Sequence, residues 1–273
     1  MKKIRNKKTL ILGFTSLFIV VSVIAISTFT DGNLISVYNS FEQPSLSHFF
    51  GTDNMGRDLF LRTIVGFRNT FLYALLVQII PFVLGSFIGA FLGYYGSIID
   101  EVLLHFFNIL LSFPSILAAI FLSVFVGGGV SVVIMIFSIY GLIYNIKLVR
   151  AEIGQVKNSD FVLGLRLNGI SEKKILFSHM IPRAFFILWP LLPLLIGHTM
   201  IGLSSFSFLG LGVQPPTPEL GVILKDSLRF ANSFPHMIIF PGLFQITCVL
   251  IFTLFSDSLN MDLRTRRLGG IND

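Results

Sequence analysis

Charge is what this sequence has least of. Asp, Glu, Lys and Arg make up only 12% of its 273 residues, about half the roughly 25% of a soluble domain, so a fully water-exposed globule is excluded. The single cysteine, Cys248, lies in an apolar run, which rules out an intrachain disulfide. No GxxxxGKS/T occurs, so no P-loop can cradle a nucleotide here. HExxH, GxSxG and clustered Cys/His are absent too, and His48, His105, His179, His198 and His236 fall in different segments, leaving no catalytic or metal-binding constellation. Acids are scarce inside the apolar runs. A proton- or sodium-coupled carrier usually needs such carboxylates as relays, and the two halves show no obvious inverted repeat.

What is present is apolar. Hydrophobic residues reach 53%, with 30 Phe and a mean hydropathy of +0.83. The expected class is an all-α, polytopic membrane protein. Six runs are long enough to span: Leu10–Phe29, Thr70–Gly96, Val102–Val126, Val130–Leu148, Phe185–Leu209 and His236–Phe255. The first follows a basic "MKKIRNKK", as in a signal peptide. Its length and the lack of a convincing small-residue cleavage site favour an uncleaved first span.

An even number of spans puts both termini on one side. Of the 20 Lys and Arg, five precede the first run, seven lie between Lys147 and Arg183, and three follow the last. The positive-inside rule therefore expects both termini and the 150–184 loop in the cytoplasm of a prokaryotic cell. The same bias accounts for the +6 net charge without nucleic acid. The resulting organisation is 1–29, N-terminus and first helix; 30–69, an extracytoplasmic segment; 70–258, a core of five spans carrying the loop; and 259–273, a cytoplasmic tail.

Gly85, Gly89 and Gly93 recur at i, i+4, i+8 and form a small-residue face for close helix packing. The neighbour could be intramolecular or a second subunit. The stretch "FVLGLRLNGISEKKILFSHMIP", residues 161–182, reads as two short helices joined at Gly169-Ile170-Ser171. Gly169 would supply a left-handed turn, Ser171 an N-cap, and Pro182 the entry to the next span. Apolar side chains on such a loop have no core of their own to enter. They suit either a docking element or a helix lying on lipid headgroups.

That stretch resembles the EAA loop of ATP-binding-cassette (ABC) importer permeases. "GTDNMGRDLFLRTIVGFRNT" at 51–70, "GYYGSIID" at 93–100, "SFPS" at 112–115, "SFLGLGVQPPTPELGVIL" at 207–224 and "PGLFQITCVLIFTLFSDSLNMDLRTR" at 241–266 are similar, in order, to the C-type permease subunit of the peptide/nickel importers. The resemblance implies a type I importer permease fold and a pore shared with a sister permease. It also implies two partner ATPases, which alone would use ATP and magnesium, and an extracytoplasmic solute-binding protein. This chain would bind no cofactor and catalyse no bond chemistry.

Residues matching the coupling motif are Phe161, Leu165, Arg166, Gly169 and Pro182. Those matching outer-face motifs are Gly51, Thr52, Asp53, Gly56, Arg57, Asp58, Gly210, Gly212, Pro215 and Pro216. Gln78, Asn108, Ser112, Ser123, Asn145, His198 and Thr199 are candidate pore-lining groups, and no metal site is expected. Two departures stand out. Leu163-Gly164-Leu165 replaces the usual acidic-Ala-Ala triplet, and His105 and Asn108 stand where the third span commonly carries Arg and Asp. Peptides or nickel and metal-chelate complexes are the expected cargo; a stand-alone secondary transporter is the alternative.

Overall fold

The computed structural model describes residues 2–30, 39–96 and 98–269. Residues 31–38 of the expected extracytoplasmic segment and 270–273 of the expected tail lie outside the described residues. Helix dominates, and the strand character among the described residues is an isolated bridge between Thr52 and Asp58. In chain order the helices are α1 (Lys2–Phe29), α2 (Leu59–Tyr95), α3 (Ile98–Ser112), α4 (Ser115–Val126), α5 (Val130–Val156), α6 (Asp160–Leu167) and α7 (Glu172–Ile175). A π-helical turn at Leu176–Met180 leads into α8 (Ile181–Leu188), and a 3-10 turn at Trp189–Leu191 leads into α9 (Leu192–Phe208). α10 (Leu220–Leu228) and α11 (His236–Gly269) follow.

Five helical stretches are long and apolar enough to cross a membrane, and the α3–α4 pair makes a sixth if counted as one. That pair corrects the expectation of one helix over Val102–Val126: Asp100–Ser112 and Ser115–Val126 are bent by 80°. Pro114 explains the break, because proline disfavours helical backbone at the residue before it. The freed carbonyl of Phe113 accepts from the Tyr140 hydroxyl at 2.9 Å. A second correction concerns the 161–182 loop. Its latter half is continuous with the next span, one helical path running Glu172–Phe208. Pro182 stands in the first turn of α8, as expected, but α8 follows directly on the π turn at Leu176–Met180 and not on a loop.

The chain divides into two compact units, one comprising residues up to Leu75, Leu122–Val133 and Pro193 onward, the other Leu76–Phe121 and Ile134–Leu192. In the first, α1 runs along α11. The Thr9 hydroxyl donates to Asp262 at 2.8 Å, and a Cβ on Gly13 would lie 3.0 Å from the Phe255 ring. Phenylalanines fill this unit, with Phe67 edge-on to Phe244 at 5.5 Å and Phe50 stacked on Phe240 at 4.9 Å. Leu10, Phe14, Leu17 and Phe18 remain exposed on α1, as lipid-facing side chains would be.

In the second unit the glycine face of α2 meets α5. A Cβ on Gly85 would lie 2.6 Å from Asn145 Cβ, one on Gly89 2.7 Å from Val149 Cβ, and one on Gly93 2.6 Å from the Arg150 carbonyl. The neighbour left open by the spacing is thus α5 of the same chain. Pro81 interrupts α2 and frees the carbonyl of Val77, which the Ser138 hydroxyl of α5 reaches at 3.3 Å. Asp100 of α3 receives Arg150 of α5, whose Nε–H is shared between both carboxylate oxygens at 3.0 Å and whose Nη2 donates to Oδ2 at 2.5 Å. This packing predicts that Gly89→Leu, which drives a side chain into Val149, costs about 1–3 kcal/mol, read as a lower midpoint of thermal unfolding in nanodiscs. Gly164→Ala, with nothing within 4 Å, is expected to leave the midpoint unchanged.

Candidate functional site

The 157–182 loop is built on α2 and α5. Ser159, in extended backbone, starts α6 without a side-chain cap bond. Helix α6 ends in a glycine turn: Gly169, at φ +77°, donates to the Arg166 carbonyl at 2.9 Å, and Ile170 donates to the Leu165 carbonyl at 3.1 Å. This pair of bonds is a Schellman closure, and Leu165 and Ile170 both pack against the buried apolar cluster below it. Ser171 stands at the N-cap of α7 in extended backbone, but the expected side-chain cap bond is not made.

One face of this loop is fully buried. Val162, Ile175, Leu176, Met180, Ile181, Ala184 and Leu188 join Ala90 and Tyr94 of α2 and Val149 and Ile153 of α5 in a single apolar cluster. A polar clasp closes its edge. Glu172 accepts from Arg166 Nε at 3.0 Å and from the Tyr94 hydroxyl, while the Arg166 guanidinium lies 6.0 Å over the Tyr94 ring. Hydrogen bonds to Glu172 first, and to Tyr94, hold the Arg166 pKa above its ordinary value. Phe161, Leu163, Leu167 and Phe177 stay outside this cluster, 56%, 53%, 81% and 64% exposed; Leu163 and Leu167, at i and i+4, share a face of α6, while Phe161 lies edge-on to His179 at 5.5 Å. Of the coupling-motif residues, Leu165 therefore packs inward, Phe161 outward, and Arg166 and Gly169 shape the turn.

The first unit contains the other motif. Gly51 and Gly56 both adopt positive φ, +77° and +70°, and a Cβ on Gly51 would strike the Glu42 carbonyl at 2.3 Å, so only glycine fits there. Asp53 is buried and accepts from Arg57 Nε at 2.6 Å, Arg57 N at 3.0 Å and Met55 N at 2.8 Å. Asp58 caps the first turn of α2 through Leu61 N at 2.9 Å and meets His48 Nδ1 at 2.8 Å. Thr52 accepts from Glu42 N at 2.8 Å. Arg62, 1% exposed, reaches Asp226 of α10 at 3.3 Å.

Gly210 turns the chain at φ +83°, and Gly212 packs where a Cβ would lie 2.5 Å from Ser207 Oγ. The Pro215–Pro216 bond is cis. These prolines, Asn54, Arg57, Lys225 and Arg229 line a groove of about 460 Å³.

Glu219 organises the centre of this unit and was not singled out by the motifs. It is completely buried. One oxygen accepts from the Thr70 and Ser204 hydroxyls, both at 2.8 Å; the other accepts from Gly221 N at 2.9 Å and Val222 N at 3.2 Å. The same carboxylate thus caps α10 and ties it to α2 and α9. Glutamate is not a favoured N-cap, so no local signal marks it.

The expected pore-lining residues separate. Asn108, Ser112 and His198 are exposed, and Asn108 accepts from Lys147 Nζ at 2.6 Å. Asn145 instead is buried at 1% exposure against Gly85, its amide without a hydrogen bond among the described residues. Gln78, Ser123 and Thr199 are buried as well. Among the described residues no group of three His, Cys, Asp or Glu could hold a metal.

Residues 85–265 match the family described as binding-protein-dependent transport system inner membrane component. The chain belongs to that family. It is a permease subunit of an ABC importer, and its all-α, multi-span architecture is the family's. The dipeptide transport system permease protein DppC of Alkalihalophilus pseudofirmus is 31% identical over 94% of this chain and 86% of its own length. The glutathione transport system permease proteins GsiD of Escherichia coli and Shigella boydii are each 34% identical over 90% of this chain and 82% of theirs.

The matched region of this permease includes the whole loop, its platform and Glu219. Two measurements address these parts. Glu219→Gln leaves one acceptor oxygen where four donors converge and is expected to lower unfolding stability in detergent by about 1–3 kcal/mol; an unchanged midpoint would refute the role given to the carboxylate. Tyr94→Phe removes one bond of the clasp and is expected to speed amide exchange over residues 160–172 roughly fivefold, ~1 kcal/mol, with α5 unaffected.

Proposed function

We propose that this permease pairs with a sister permease to form the translocation path, and that residues 160–182 dock it to two ATPase subunits on the cytoplasmic side. The observation that carries this reading is the loop's construction: an apolar face left exposed on a platform whose opposite face is wholly buried. A loop that only connected spans would have no reason to hold large apolar side chains rigidly in water. ATP binding would draw the ATPases together, and the loop would pass that movement to α2 and α5 as a rigid body. ATP and magnesium belong to the partners, and this chain contributes no catalytic group.

The basic termini and loop support a cytoplasmic location for both ends. The glycine-turned motifs at 51–58 and 210–216 then face the other side, toward a solute-binding protein. The relatives named for dipeptide and glutathione transport favour short peptides as cargo, with selection resting largely on the binding protein.

Purification of the tagged chain from its native membrane in mild detergent, followed by mass spectrometry, tests the assembly. Recovery of a second permease and Walker-motif ATPases is expected; a chain that transports alone, without them, overturns the proposal. Gly169→Pro cannot adopt φ +77° and loses the bond to Arg166. ATP-driven peptide uptake by that variant is expected to fall to background in proteoliposomes while the protein still inserts.

A further inference from the structure

The charges on the docking loop indicate what kind of groove receives it, an inference that rests on the docking reading above. The charged side chains of α6 and α7 are Asp160, Arg166, Glu172, Lys173 and Lys174. Arg166 and Glu172 neutralise each other at 3.0 Å. Asp160 lies exposed in the first turn of α6, where the helix N-terminus stabilises a carboxylate without cancelling its charge. Lys173 and Lys174 remain, both exposed and in no ion pair among the described residues. Leu163-Gly164-Leu165 adds no carboxylate on the open face. The loop therefore offers a partner exposed apolar side chains together with two unpaired ammonium groups against the single carboxylate of Asp160, a net positive charge.

We propose that this loop fits a groove on the ATPase subunit with an apolar floor and an acidic rim: Leu163 and Leu167 meet the floor, Phe161 and Phe177 pack at its edges, and Lys173 and Lys174 meet carboxylates at the rim. An anionic lipid surface offers similar chemistry, but the construction of the loop favours a protein. The Tyr94–Glu172–Arg166 clasp, the Gly169 closure and the buried inner face set the four apolar side chains in one arrangement before binding. Such preorganisation lowers the ordering cost of entering a shaped groove, whereas a fluid headgroup layer has no fixed shape to match. Rim charges in turn govern partner choice, association rate and salt dependence.

The test uses the whole transporter, extracted in mild detergent, with ATPase subunits per permease counted by quantitative mass spectrometry across a salt series. Lys173→Glu/Lys174→Glu is expected to lower ATPase recovery on the order of tenfold at low salt, the deficit shrinking as salt rises. Lys173→Arg/Lys174→Arg is expected to retain recovery. An unchanged thermal midpoint of each purified variant separates lost docking from lost folding.

Recovery that is insensitive to charge reversal at every salt concentration overturns the acidic rim. So does an equal loss in the arginine variant, which would mean that shape and not charge is being read. If reversal spares the ATPases but removes exchange protection of residues 160–177 in phosphatidylglycerol nanodiscs and not in phosphatidylcholine ones, the occupant is the lipid surface and the proposal fails. Absence of ATPases from the unsubstituted chain overturns the docking reading itself, and this inference with it, before any variant is made.

Discussion

The backbone-to-backbone approach of α2 and α5 is the constraint on which the docking loop depends. Three glycines on α2 remove the side chains that would hold the helices apart, and each faces α5 at a distance no Cβ could share. The platform begins within one turn of them, with Ala90 and Tyr94 on α2 and Val149 and Ile153 on α5 forming its floor. Without a hydrophobic force between helices in lipid, such close van der Waals contact is what holds spans together. Separation by a side chain's width would open the floor and release Val162, Ile175 and Leu176 from it. A coupling element mounted on a loose pair of helices could not transmit movement.

Scarcity of charge gives each ionic group a definite task. Asp53 gathers Arg57 and two backbone amides around a glycine turn, Asp100 receives Nε and Nη2 of Arg150, and Glu219 is satisfied entirely by neutral donors. A carboxylate buried in this way is tolerable because four donors replace its hydration. The departures in the third span read differently in this light. Asn108 is bonded to Lys147, and the part-buried ion pair of the α3–α5 contact is supplied by Asp100 and Arg150 instead.

Much of the fold was legible in residue patterns, and the failures have physical causes. Apolar runs located the spans because a bilayer demands about 20 apolar residues per helix. Pro114 looked compatible with one span over 102–126, since a hydropathy window averages over a single proline; its effect on the preceding residue bends the pair by 80°. Pro182 does sit in the first turn of α8, yet a π turn joins α8 to α7 without a break, so the helical path begins at Glu172. Asn145 looked like a pore group by polarity alone, and its burial against Gly85 depends on the rotation of α5, which polarity does not report. Tyr94, Arg62 and Glu219 escaped notice because their partners lie 78, 164 and 149 residues away.

By itself the sequence determined the membrane environment, the approximate spans, the glycine face of α2, the turn at Gly169 and the family, because these follow from composition, periodicity and short motifs that act locally. Only the tertiary structure decided which helix the glycines meet, which side of α6 is buried, and that one tyrosine and one glutamate clasp the loop to α2. The physical reason is distance: a hydrogen bond or a close helix approach between residues far apart in the chain is set by the packing of whole elements, and no window of neighbouring residues contains it.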